Sequence, residues 1–126
     1  SKFYLQKGDK FVRKILGNFI EIVRAEVNVP HPLGFHARPS TYISLIARHH
    51  EGELNMIIDD DKFNAKSVMS LLQAGGLLAD KGYKQVTMEG SRQAINDVKI
   101  LAQNNYCEEG EFPQSLNYLR PDQSNA

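Results

Sequence analysis

The stretch that most constrains this chain is residues 30–39, Pro-His-Pro-Leu-Gly-Phe-His-Ala-Arg-Pro. Pro30 and Pro32 each remove a backbone donor and fix φ, while Gly34 opens dihedrals closed to other residues, so regular structure breaks here. Pro39 is tolerated in a helix only in its first turn. A strand therefore has to end near Val29 and a helix has to begin near His36, with a loop presenting that histidine between them.

The flanking patterns agree. Residues Ile22 to Val29 alternate, with Val23, Ala25, Val27 and Val29 on one side and Arg24, Glu26 and Asn28 on the other, as in a half-buried strand. From Ala37 to His50 the spacing is helical, with Pro39, Ile43, Ile46 and His50 on one face beside Tyr42 and Ala47. Leu54, Met56 and Ile58, then Phe63 and Ala65, predict a hairpin turning at Asp59-Asp60-Asp61. Ser67 stands as an N-cap before Val68, Leu71 and Leu72, and Gly75-Gly76 reads as the stop of a short helix. Val86 and Met88 mark a last strand that Gly90 turns into a helix capped by Ser91, carrying Ala94, Ile95, Val98, Leu101 and Ala102. The order strand, helix, strand, strand, helix, strand, helix predicts an α+β domain, a four-stranded antiparallel sheet covered on one face by three helices.

Three segments are expected: an N-terminal extension over 1–20, the domain over 21–104 and a C-terminal extension over 105–126. In the first, Phe11, Ile15, Leu16 and Phe19 behind a cap at Asp9 predict a helix. In the last, Tyr106, Phe112, Leu116, Tyr118 and Leu119 stand ready to pack on the core, bind a partner or pair two chains.

Lys and Arg balance Asp and Glu at 15 each, so no basic excess points to nucleic acid or an anionic membrane. The single cysteine, Cys107, cannot form an internal disulfide. The N-terminus alternates charge with apolar residues and no long apolar run occurs, so neither direct membrane insertion nor a leader is expected, and the cytoplasm is the expected location.

The segment Gly34-Phe35-His36-Ala37-Arg38-Pro39 places an imidazole at a helix start and a guanidinium two residues later. Unpaired N–H groups and the positive end of the helix dipole make such a place an anion site. A phosphoryl group on an imidazole nitrogen would find donors there, with Arg38 adding another. Nitrogen suits a group that is handed on, whereas a serine ester suits a switch. Ser67, at its own helix start after Lys66, is such a serine, where added phosphate would meet a favourable dipole. A serine there also caps the helix with no kinase involved. Val68, Met69 and Leu72 read either as a partner patch or as the helix's own buried stripe, with Met69 the exposed contact.

These residues resemble a known family, the histidine-containing phosphocarrier protein HPr of the bacterial phosphoenolpyruvate-dependent sugar phosphotransferase system. The resemblance covers roughly residues 22–104 and rests on Gly34, His36, Ala37, Arg38 and Pro39, with a second motif in register at Lys66, Ser67, Val68 and Met69. It implies the HPr-like open-faced sandwich fold. It also implies that His36 takes a phosphoryl group on Nδ1 from enzyme I, charged by phosphoenolpyruvate, and gives it to sugar-specific acceptor proteins. HPr kinase/phosphorylase is implied as the enzyme that modifies Ser67. Phe35 departs from the family, being aromatic where an aliphatic residue is usual, and Leu77 to Gly82 is about two residues longer than the usual short connection before the last strand.

Such a chain is a covalently phosphorylated relay and not a turnover enzyme, with no cofactor expected. A second reading is an HPr-like regulatory module that controls a kinase or transcription factor with little part in sugar transport. A third is a structural or oligomerising domain built around the termini. His31, His49 and His50 with His36 do not complete a metal set, since His49 and His50 diverge on a helix and a solvated helix end accounts for them. The Asp59-Asp60-Asp61 run lacks the other ligands of a calcium loop.

Overall fold

Alternation and helical spacing meet in one core. The computed structural model describes residues 3–5, 11–15 and 18–121, with side chains from residue 21 onward. The elements in chain order are β1 (Phe3–Leu5), β2 (Phe11–Ile15), β3 (Asn18–Asn28), α1 (Ala37–His49), β4 (Leu54–Ile58), β5 (Asp61–Asn64), α2 (Val68–Lys81), β6 (Gln85–Ser91) and α3 (Arg92–Gln103). One sheet runs β1-β2-β3-β6-β4-β5 with every neighbouring pair antiparallel. The expected four strands are β3, β6, β4 and β5, and the register Ala25↔Met88↔Met56↔Phe63 runs across them. Leu54, Met56 and Ile58 are buried from alternate positions of β4. On the other face, Glu89 accepts from Arg24 at 2.8 Å and from Lys62 at 3.1 Å.

Helix α1 packs on α2 and α3, α3 lies against β3 and β6, and α2 against β4 and β5. The side chains that make this layer, Ile43, Ile46, Leu71, Leu78, Val98 and Leu101, are at most 1% exposed. Each contributes on the order of 1.5–3 kcal/mol by leaving water. Among the described residues no helix is long and apolar enough to cross a membrane.

Several sequence expectations change. The helix expected over 1–20 is replaced by β2 and the start of β3, so Phe11, Ile15 and Phe19 lie in strands; Asp9 and Leu16 lie outside the described residues. Phe11 and Ile15 are four apart, an even spacing that suits a strand's period of two as well as a helix's, whereas Phe19 falls beyond the turn, in register with Lys14, and Phe, Val and Ile favour a pleated surface. Pairing β2 to β3 also satisfies an edge of the core sheet that would otherwise stand open.

Gly75-Gly76 does not stop a helix: α2 continues to Lys81 and ends at Gly82, whose φ of 69° is the left-handed stop. Burial of Ala74 and Leu78 in line with Leu71 outweighs the glycine penalty of about 1 kcal/mol per residue. The lengthened Leu77 to Gly82 connection is therefore the last turn of α2. Gly90 makes no turn either. It lies in β6, where a Cβ would come within 2.8 Å of Leu54 Cδ1 and 3.0 Å of Glu53 O. The hairpin turns at Asp59 and Asp60, and Asp61 already pairs with Ile58.

The C-terminal residues pack on the core. After α3 the chain makes a tight turn over Asn105–Cys107 and a 3-10 segment over Gln114–Leu119. Tyr106, Cys107, Leu116 and Leu119 are each at most 2% exposed.

Candidate functional site

The loop between β3 and α1 is fastened at both ends. Val29 N–H donates to Lys84 O at 2.9 Å, Gly34 N–H to Pro30 O at 2.9 Å and His36 N–H to Gly34 O at 2.9 Å. Gly34 has φ 69°, so the turn requires the residue that tolerates it. Phe35 then turns inward and is 4% exposed, and Ser40 Oγ donates to its carbonyl at 3.3 Å. Its ring meets Tyr106 edge to face with centroids 5.4 Å apart. Gly75 is the floor beneath it: a Cβ there would lie 2.9 Å from Phe35 O and 3.0 Å from Phe35 Cβ.

His36 is the N-cap of α1, with φ −79° and ψ −168°, and its side chain makes no cap hydrogen bond. The ring is therefore free of the usual N-cap duty and stands beside the first-turn N–H groups that the helix leaves without internal partners. Ser40 N–H closes the first helical bond onto His36 O at 3.2 Å. His36 also lines an open cleft of about 380 Å³ bounded by the 29–36 loop and the C-terminal part of α2, including His31, Tyr83 and Lys84.

The other side of His36 is occupied by a residue that the sequence did not single out. Glu108 Oε1 lies 3.0 Å from His36 Nε2, with the two side chains 24% and 32% exposed. Arg38, two residues on, donates from NH1 to Glu108 O at 2.8 Å. The segment that brings Glu108 here holds three successive non-glycine residues with positive φ, Asn105 (51°), Tyr106 (57°) and Cys107 (53°). Each costs roughly 1–2 kcal/mol against a right-handed conformation. Tyr106 offsets this by near-complete burial, its contact with Phe35 and a hydroxyl that donates to Asn28 O. Burial pushes the Tyr106 hydroxyl well above its ordinary value and raises the Cys107 thiol.

Ser67 is the N-cap of α2, and its Oγ accepts from Ser70 N–H at 3.1 Å. The preceding carbonyl, Lys66 O, accepts from Ser44 Oγ at 2.9 Å and Arg48 at 3.1 Å. Ser67 is thus beside the middle and end of α1, whereas His36 is at its beginning. The eight residues from His36 to Ser44 correspond to about 12 Å of helix, so the two sites are not brought together. Met69 is 67% exposed, with Val68 and Leu72 half-buried beneath it and Leu45 of α1 39% exposed.

At the end of α1 His49 is exposed and His50 half-buried. His50 Nε2 lies 2.8 Å from Asp97 Oδ2, which also accepts from Tyr118 OH at 2.5 Å, and the His49 ring stacks on Tyr118 at 3.9 Å. Solvation alone therefore does not account for the pair: both histidines contact the C-terminal segment or its partner Asp97, and burial followed by the Asp97 bond pushes the Tyr118 hydroxyl far up. Among the described residues no group of three or more His, Cys, Asp or Glu could hold a metal.

Residues 23–102 match the family described as the PTS HPr component phosphorylation site. No curated protein matches the chain. Among solved structures the fold is similar to the crystal structure of HPr-C-His from Thermoanaerobacter tengcongensis, at TM-score 0.56 and 22% identity, over 68% of this chain and 96% of that one. At that identity the likeness carries the fold. The family match contains His36, Arg38 and Ser67 and ends before Tyr106 and Glu108.

Proposed function

Because this chain belongs to the PTS-HPr family, the phosphocarrier component of the phosphotransferase system, we propose that its phosphoryl group is carried on His36. The observation that carries this reading is the position of His36: N-cap of α1, half-buried, its ring unspent on capping, inside the matched residues. The phosphoryl donor is enzyme I, itself charged from phosphoenolpyruvate, and the acceptors are sugar-specific proteins of the same system, all meeting the chain in the cytoplasm.

The chain's own residues supply binding and orientation. Helix α1 fixes the ring at its N-terminus, where a dianion gains about 0.3–1 kcal/mol from the dipole and finds backbone N–H donors. Arg38 is exposed and spends one N–H on Glu108 O, leaving the rest of its planar fork for phosphoryl oxygens. Met69, with Val68 and Leu72, is the apolar contact offered to partner proteins. Phosphorylation of Ser67 by HPr kinase/phosphorylase places a dianion beside that contact and alters docking without touching His36.

Incubation with enzyme I and phosphoenolpyruvate is expected to give an acid-labile, base-stable label that mass spectrometry maps to His36, absent in His36→Ala. A standard HPr labelled in the same tube while this chain stays bare would refute the relay. With ATP and HPr kinase, a stable label lost in Ser67→Ala is expected.

A further inference from the structure

We infer that Glu108 is a positioning residue for His36: its carboxylate keeps the imidazole proton on Nε2, so that Nδ1 presents its lone pair to the phosphoryl group. The inference rests on the reading of His36 as the phosphoryl acceptor.

Glu108 holds an unmet acceptor. Glu108 Oε1 is shielded from solvent and has no aligned hydrogen bond, while His36 Nε2 stands 3.0 Å from it. A buried carboxylate oxygen left without a donor is unfavourable. The terminal torsion of a histidine is broad, so a small turn of the ring brings an Nε2–H onto that oxygen. The opposite tautomer would set the lone pair of Nε2 against the carboxylate. Which nitrogen carries the proton is decided by the partner of the other, and here that partner is an anion.

Both halves of the contact are built in. His36 is fixed by α1, and Glu108 is fixed by the left-handed turn over Asn105–Cys107, which Tyr106 anchors against Phe35, the residue next to His36. Arg38 grips the Glu108 carbonyl. An aromatic Phe35, the departure from the family pattern, is thus the surface on which this turn rests. Strained non-glycine backbone persists where surrounding packing over-determines it, and such backbone is concentrated at functional sites.

The chemistry then runs without moving a proton on His36. The Nδ1 lone pair attacks the phosphorus of a phosphohistidine on the donor protein. The Nδ1–P bond forms as the donor's N–P bond breaks, and the electron pair of that bond stays on the donor nitrogen. Nε2 keeps its hydrogen, the ring takes up positive charge, and the Glu108 carboxylate faces it. In the onward step a nucleophilic side chain of the acceptor attacks phosphorus, and the Nδ1–P electron pair returns to a neutral ring still protonated on Nε2.

The test is nitrogen-15 NMR of the His36 ring in the full chain, with Glu108→Ala, Glu108→Gln and Glu108→Asp, alongside the rate of labelling from enzyme I. The wild type is expected to show the Nε2–H form, and Glu108→Ala a shift toward a mixture of tautomers with labelling slowed roughly tenfold, since only the tautomer with a free Nδ1 lone pair can attack. Glu108→Asp should recover part of both effects, and Glu108→Gln the tautomer but not the full rate. Backbone amide spectra that match wild type outside residues 104–110 show that folding is not the cause. Unchanged tautomer populations in Glu108→Ala would overturn the inference, and so would faster labelling, which would make Glu108 an anion that obstructs the site. The two readings fail separately: a wild type that takes no label refutes His36 as acceptor, while the ring spectra alone decide whether Glu108 places the proton.

Discussion

Gly75 and Gly76 are adjacent, both inside α2, and a methyl group at each meets opposite surroundings. At Gly76 an added Cβ has nothing within 4 Å; at Gly75 it would lie 2.9 Å from Phe35 O and 3.0 Å from Phe35 Cβ. Replacing a helix-interior glycine by alanine gains about 1 kcal/mol of helix propensity at either position. At Gly76 that gain stands alone, so Gly76→Ala is expected to stabilise the protein by about 1 kcal/mol. At Gly75 the clash is with backbone and Cβ, which cannot swing aside, and overpacking of this kind costs about 1–3 kcal/mol. Gly75→Ala should then lie about 1–3 kcal/mol below Gly76→Ala and near or below wild type.

Urea unfolding measures this directly, since a change of 1 kcal/mol moves the midpoint by roughly 0.3–1 M. The functional consequence is separate. Relief of the clash at Gly75 pushes Phe35 away from α2, and Phe35 is bonded to His36, so the labelling rate of Gly75→Ala should fall while that of Gly76→Ala stays at the wild-type value. Misplacement of a reacting group by 1 Å is enough to lose up to about a hundredfold. If the two variants are equally stabilised and equally active, the close passage of α2 under Phe35 does not constrain the site and the reasoning fails.

Asp97→Ala leaves His50 Nε2 and Tyr118 OH without their common acceptor and should cost about 1–3 kcal/mol, with faster amide exchange concentrated in residues 114–119. Tyr106 and Tyr118 have folded-state pKa values above the ordinary tyrosine value, so the stability they lend is complete below about pH 10 and is lost as pH rises beyond it. Tyr118→Phe should flatten that alkaline decline in a thermal melt series. Glu89 behaves oppositely: burial raises its carboxyl, but hydrogen bonds from Arg24 and Lys62 outweigh burial and leave it below the usual range. Its contribution is present above about pH 4.3 and is lost as pH falls through the lower folded-state value, so Glu89→Gln should weaken the acid dependence of stability.

What the sequence made legible follows from where local and tertiary preferences agree. Leu54, Met56 and Ile58 alternate because one face of β4 is buried, and Ala94, Ile95, Val98 and Leu101 repeat because one stripe of α3 is, so pattern and fold coincide. His36 was visible because proline and glycine chemistry forces a strand to end and a helix to begin around it. Phe11 and Ile15 misled because a spacing of four fits both periods, and Phe19 because its helical spacing runs across a turn that only the pairing of β2 with β3 reveals. Gly75-Gly76 misled for a related reason: a glycine at a helix stop and one, like Gly75, that lets a neighbouring segment pass close look the same until Phe35 is in place.

Glu108 was hidden for a different reason. Nothing in Asn105, Tyr106 or Cys107 favours three left-handed residues in a row, since asparagine enters that region only as a single residue and the local preferences of Tyr106 and Cys107 oppose it. The turn exists because burial of Tyr106 and Cys107, and of Leu116 and Leu119 beyond them, offsets the strain. The clasp of His49, His50 and Asp97 on Tyr118 ties down the far end of the segment. A conformation sustained by contacts between residues 28, 35 and 106 cannot be read from residues 105–107 alone. The same logic sets the limit of the family pattern in this chain. The family match ends within α3, yet the carboxylate 3.0 Å from His36 Nε2 comes from the segment that follows, so the surroundings of the histidine and the packing of the C-terminal segment are parts of one structure.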